Sequence, residues 1–152
     1  MRTFGNIIWH VPFLGFVNAI AAFLLGVILV LTVVAAPIGF GLLQYSKFLL
    51  LPFGNAMVNR ADLSPKQNPL WRAYSTIVML LYLPFGLLLT LFAVLQVVAL
   101  FVSIIGIPVG LVVAKSLGTY LNPVNKVCVP SSVLTELERR KAEAFLAKRA
   151  AD

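Results

Sequence analysis

The sequence predicts an all-α integral membrane protein: two tandem parallel repeats followed by a charged, soluble C-terminal helix. Three observations carry this. Of 152 residues, 61% are hydrophobic and only 11% are charged, where a soluble domain averages about half apolar and about a quarter charged. The apolar residues fall in long uninterrupted runs. Those runs recur at one fixed offset along the chain. Such a chain cannot cover its surface with polar groups in water, and the same composition excludes disorder. A disulfide scaffold is excluded because Cys128 stands alone.

The first run, Phe13 to Ala36, contains no ionisable side chain. As a helix it measures about 36 Å, enough for a hydrocarbon core of about 30 Å. Pro37-Ile38-Gly39 interrupts it, a shorter stretch continues from Phe40 to Leu51, and Pro52-Phe53-Gly54-Asn55 stops that stretch. Residues 55–72 are polar, contain two prolines and read as an inter-repeat loop. The second long run spans Ile77 to Ile107, with Pro84 and Gly86 near its start. Pro108-Val109-Gly110 breaks it, Leu111 to Leu121 returns, and Asn122-Pro123 ends the return. Arg2 and the small-x-small segment Ala19-Ile20-Ala21 imitate a signal peptide. The run continues well past that site and an equivalent segment recurs later, so retention is expected.

The recurrence organises the chain. An ungapped shift of 71 pairs Gly15 with Gly86, Ala22 with Ala93, Pro37 with Pro108, Gly39 with Gly110 and Pro52 with Pro123. Leucine and valine coincidences are cheap in this composition. A Pro-x-Gly followed at the same distance by a second proline, Pro52 in one copy and Pro123 in the other, is not. Each unit reads as a long helix, a Pro-x-Gly break and a short returning helix. This gives a membrane domain over 1–130, with repeats at 1–60 and 70–130 and a linker at 55–72, and a charged helical tail over 131–152.

Charge sets the expected orientation. The net charge of +7 is spread over Arg2, Lys47, the central Arg60, Lys66 and Arg72 with Asp62, Lys115, Lys126, and a tail whose own balance is only +1. No cluster is dense enough for a nucleic-acid footprint. Basic residues flank both ends of each unit, while residues 33–39 and 104–110 carry no charge. The positive-inside rule then places N-terminus, central loop and C-terminus in the cytoplasm, with the repeats related by an axis along the membrane normal. Trp9, Trp71, Tyr45, Tyr74, Tyr82 and Tyr120 lie toward the charged ends of the runs. The returning stretches are short for a full crossing, which opens the alternative of re-entrant hairpins whose freed backbone is buried in protein.

Several segments resemble the YccF inner-membrane component family: MRTFGNIIW at the start, LLLPFGNAMV at 49–58, SIIGIPVGLVVAKSLGTYLNPV at 103–124, and the two-copy layout. The resemblance runs from Met1 to about Pro130. It implies a bacterial inner-membrane location and no established activity. The family often carries Pro-Phe-Gly at both unit ends; here the second end reads Pro123-Val124-Asn125.

The residue inventory argues against an enzyme and against a bound cofactor or metal. His10 is the only histidine, and all five acidic residues lie in the loop or tail. That removes intramembrane carboxylate pairs and clusters of metal ligands. Ser46-Lys47 and Lys115-Ser116 are adjacent, so neither pair can face itself on a helix. Proton-coupled transport usually needs intramembrane Asp, Glu or His, and none is present.

Two functions remain. One is a passive, anion-leaning channel with pore or break residues Pro37, Gly39, Gln44, Lys47, Pro108, Gly110 and Lys115, and unit ends marked by Pro52, Gly54 and Pro123. The two lysines there have snorkelling to the interface as the plainer role. The other is a non-conducting scaffold or accessory subunit whose loop and tail recruit a cytoplasmic protein. The duplicated broken helices tilt the sequence reading toward the channel. Glycines 15, 26, 39, 41, 86, 106, 110 and 118 invite close helix contacts, and with a small bundle they suggest a homo-oligomer. In the tail, Ser132 is expected to cap a helix that pairs Glu136 with Arg140.

Overall fold

The computed structural model describes residues 2–11, 13–64 and 68–151; expectations placed on Met1, Pro12, Lys66 and Asp152 lie outside them. The elements are α1 (Arg2–His10), α2 (Gly15–Leu31), α3 (Ala36–Leu50), β1 (Asn55–Asn59), α4 (Arg60–Leu63), α5 (Pro69–Val102), α6 (Ile107–Leu121), β2 (Lys126–Pro130) and α7 (Ser131–Ala151). Pro69–Val102 and Ile104–Leu121 are long and apolar enough to cross a membrane. Thr3–His10 and Gly15–Leu31, bent by 78°, together make a third candidate. Val102 is 83% exposed and Phe92 69%, with many neighbours alike. An apolar surface of that extent belongs against lipid or protein rather than water.

The Pro-x-Gly segments are not the turns themselves, which corrects the expected break. The first turn falls earlier, at Thr32–Ala35, where Val33 takes a left-handed conformation with φ of 60°. Pro37 sits in the first turn of α3, and Pro108 likewise opens α6 after a single 3-10 turn. Proline fits there because its missing N–H is one of the unpaired donors of a helix start. Gly39 and Gly110 are therefore helical. They serve packing: a Cβ on Gly39 would lie 2.7 Å from the Gly26 carbonyl oxygen, and one on Gly110 would lie 3.0 Å from the Phe101 ring.

The chain is mostly helical, in keeping with the expected class, but the expected loop needs a second correction. The linker is not uniformly irregular, because β1 and α4 lie within it and α5 starts at Pro69, capped by Asn68 accepting from the Leu70 amide at 3.1 Å. β1 and β2 form a two-stranded antiparallel sheet centred on Met57 opposite Cys128. Among the described residues, each strand pairs across the molecule rather than within its own half. The same offset that relates the sequences relates the bounds of α3 to α6 and of β1 to β2.

The two hairpins meet through their returning helices. Contacts between α3 and α6 run in opposite senses: Gly41 faces Pro123, Tyr45 meets Ser116 and Tyr120, and Pro52 takes the Lys115 ammonium. The Tyr74 hydroxyl, near the start of α5, donates to the Val34 carbonyl of the first turn at 2.8 Å. The second turn leaves the far end of the same helix, about 40 Å further along. The returning helices thus cross antiparallel and the hairpins splay apart. Strand pairing fixes this, because both returning helices must deliver their chains to one antiparallel sheet.

The core lies at that crossing. Trp9, Ala19, Tyr45, Phe48, Leu49 and Val112 form one buried cluster. Trp9 Nε1 donates to the Leu49 carbonyl at 2.8 Å, and His10 Nε2 bonds the Leu50 carbonyl at 2.7 Å, tying α1 to the end of α3. Between α1 and α2 the chain bends at Leu14, with φ of 50°. The corresponding stretch of the second half is continuous helix through Pro84.

Candidate functional site

Three hydroxyls sit on the crossing of α3 and α6. Tyr45 donates to Ser116 Oγ at 3.0 Å, and Ser116 donates to the Val112 carbonyl at 2.8 Å. With those protons committed, Tyr120 must donate to the Tyr45 oxygen, 2.8 Å away. The chain is shielded by Phe48, whose ring stacks on Tyr45. Buried hydroxyls satisfied in series fix one register between two helices, since a slip leaves at least one unpaired in an apolar setting.

Gln44 and Lys115, which share one position in the two halves, each reach the backbone of the opposite half. The Gln44 oxygen lies 3.4 Å from the Cys128 amide. Lys115 Nζ donates to the Pro52 carbonyl at 3.1 Å and sits 5.7 Å above the Phe53 ring. Pro52 and Pro123 are fully buried where the returning helices give way to the strand segments. Gly54 accepts at its carbonyl from both the Ser131 amide and hydroxyl, each at 3.0 Å. The first unit end thereby anchors α7, and Ser131 rather than Ser132 starts that helix.

Lys47 is exposed and belongs to neither clasp. Of the residues expected to line a path, Pro37 and Gln44 border a small cleft of ≈ 290 Å³ together with Phe40, Arg60, Trp71 and Lys126. Lys47, Lys115, Pro108 and Gly110 do not line it. A larger cleft lies elsewhere, between α4 and α7. There Leu63, Val133, Leu137 and Ala144 meet Asp62, Glu136, Arg140 and Lys141 around ≈ 510 Å³. Lys141 bridges Asp62 at 2.9 Å, tying tail to central loop.

The electrostatics of this polar side follow from its packing. Arg139 and Arg140 both bind Glu136 and hold its carboxyl well below the usual range, at about 2. The expected Glu136–Arg140 pair is present at 2.9 Å. Burial pulls the Lys126 ammonium down, opposed by Asp62. Burial pushes the Cys128 thiol up, opposed by the cationic Lys47.

Asn125 is a residue that sequence reasoning undervalued. It occupies the place of the glycine missing from the second unit end, in a left-handed conformation with φ of 57°, which asparagine tolerates better than most residues. Its side chain accepts from Trp71 Nε1 at 3.3 Å and donates to Ser75 Oγ at 3.0 Å, while its carbonyl accepts from the Arg60 amide at 2.8 Å. The signal available was the asparagine itself, which enters the left-handed region more readily than most residues, whereas Gly54 at the first unit end has no positive φ. The glycines expected to form seams between subunits are largely spent within the chain: a Cβ on Gly41 would lie 1.9 Å from the Pro123 oxygen, and one on Gly86 would lie 2.2 Å from the Leu121 oxygen.

These features define a helical membrane protein whose polar groups tie two splayed hairpins to a small sheet and a charged helix. Residues 4–55 match the family model of the inner membrane component domain YccF. The match covers the first third of the chain and agrees with the family that the opening motifs resemble. No curated protein and no solved structure matches the chain.

Proposed function

We propose that the protein is a duplicated inner-membrane scaffold that presents a cytoplasmic docking platform, rather than a conduction path. The cleft between α4 and α7 carries this reading. It joins apolar and charged groups of both signs from the central loop and the tail, and the Lys141–Asp62 bridge holds the two segments together. The polar residues considered for a pore support it as well. Gln44 and Lys115 are engaged with backbone across the α3–α6 crossing, while Lys47 is exposed.

In this arrangement the two units are an internal repeat, related by a local two-fold axis along the membrane normal. The axis passes through the self-equivalent pairs Tyr45–Ser116 and Met57–Cys128, supported by the shared offset of the two halves. Both termini, the central loop and the sheet lie on the cytoplasmic side, as the positive-inside rule requires, and the hairpins slant into the bilayer from there. Copies associate through exposed apolar turns such as Ile104, 85% exposed; mass in mild detergent distinguishes an oligomer from a monomer.

The docking reading is tested with a photo-crosslinking amino acid at Ala144 in cells. One defined cytoplasmic protein is captured, and Leu137→Arg abolishes the capture. Reconstituted protein passes no more chloride or potassium than empty liposomes. Ion flux that changes selectivity in Lys47→Gln with Lys115→Gln would overturn the scaffold in favour of the channel.

A further inference from the structure

A third cleft, of ≈ 350 Å³, lies among the apolar helices, away from the docking platform. It is walled by Trp9, Phe13, Ala22, Leu49, Val109, Val112 and Val113, and four polar side chains reach it: Asn18, Gln96, Tyr45 and Tyr120. Among the described residues, no carboxylate, histidine, lysine or arginine lines it. Tyr45 is only 6% exposed, so its phenol closes the inner end. Asn18 and Gln96 are exposed at the rim and have no hydrogen-bond partner among the described residues. A carboxamide facing hydrocarbon has no water to bond, so such groups call for a polar partner.

The correspondence between the halves makes this cleft informative. The positions corresponding to Asn18, Gln96, Tyr45 and Tyr120 carry Leu89, Leu25, Ser116 and Leu49. Three of the four are apolar in the other half, and the fourth is smaller. Packing alone is satisfied by the smaller or apolar versions, since the corresponding positions, two in each half, carry them. The polar set, two residues from each half, converges on one cleft.

From this convergence we infer that the cleft binds an uncharged, hydroxyl-bearing lipid of the diacylglycerol type. The donor–acceptor balance selects it. Tyr120 spends its proton on Tyr45 and so offers only lone pairs, which accept from a ligand hydroxyl. The Asn18 and Gln96 amides supply N–H donors for ester carbonyls. A neutral head group matches a wall without charge, because an unpaired charge here would be desolvated without compensation. The cleft takes the glycerol head and the first part of the acyl chains, and the remainder lies along the exposed faces of α2 and α5.

Trp9 in the wall provides the readout. In a Trp71→Phe background, which leaves Trp9 as the single indole, brominated diacylglycerol quenches fluorescence saturably in nanodiscs. Asn18→Leu with Gln96→Leu installs the residues the other half already carries, so folding is retained and the unchanged thermal midpoint verifies it. The double variant weakens the apparent affinity about tenfold, as loss of one or two intramembrane hydrogen bonds implies. Acetylating the probe's hydroxyl has a similar effect. Equal quenching of wild type and double variant overturns the site, as does equal quenching by brominated phosphatidylcholine, which would mark an ordinary lipid annulus. Undiminished binding of the acetylated probe overturns the hydroxyl requirement.

Discussion

Replacing Gly41 with alanine forces α3 away from the segment that leads into β2. The new Cβ would lie 1.9 Å from the Pro123 oxygen and 2.7 Å from its carbonyl carbon, where ordinary contact needs about 3.4 Å or more. Neither atom belongs to a flexible side chain, and Pro123 is fully buried, so relief requires backbone movement of roughly 1.5 Å. Overpacking of this kind costs about 1–3 kcal/mol, and a rigid neighbour puts it at the upper end. Alanine's better helix propensity returns up to about 1 kcal/mol. The net loss is about 2 kcal/mol, a fall in thermal midpoint of roughly 4–8 °C for a chain of this size.

The control is Gly118→Ala, on the equally helical α6. Its nearest neighbour is the far end of the Lys126 side chain at 3.8 Å, so only the propensity gain of about 1 kcal/mol remains and the midpoint rises. Thermal unfolding in one detergent, followed by fluorescence-detected size exclusion, compares the pair. If Gly41→Ala is as stable as wild type, or rises with Gly118→Ala, then α3 does not lie on Pro123 and the antiparallel crossing is wrong.

Val33→Gly relieves a β-branched residue of a left-handed backbone, which costs about 1–2 kcal/mol, and raises the midpoint by a few degrees; a fall would show that the turn is not as described. Cys128 alkylation by iodoacetamide has its pH midpoint above that of a free thiol because burial disfavours the thiolate, and Lys47→Ala moves it higher by removing the opposing cation; a downward move in the variant refutes that placement. The Glu136 carboxyl, followed by NMR, titrates near 2 rather than at its ordinary 4.5. Its pairing with Arg139 and Arg140 is intact above the ordinary value and lost as pH falls through about 2. Arg139→Gln with Arg140→Gln returns the midpoint toward 4.5, and no change would mean that the pairs do not form.

Composition and spacing alone determined that this is a helical membrane protein and where its apolar runs lie, and they pair Pro37 with Pro108, Gly39 with Gly110 and Pro52 with Pro123 at one ungapped offset. Those features are local: hydrophobicity is a property of each residue, and helix is the only open-chain solution for backbone in lipid. The opening motifs were equally legible, and the YccF match at 4–55 agrees with them. Tertiary structure decided the rest. Pro37 and Pro108 announce a break in the sequence, but only the geometry shows each proline opening a helix after the turn has passed. β1 and β2 are short strands with no partner nearby in the chain, so their pairing through Met57 and Cys128 could not be read locally. That pairing turns the returning helices antiparallel and sets Tyr45 against Ser116. It also assigns Gln44 and Lys115 to clasping the opposite half. A polar side chain in an apolar run shows that it needs a partner; which partner it finds depends on contacts with the far half of the chain.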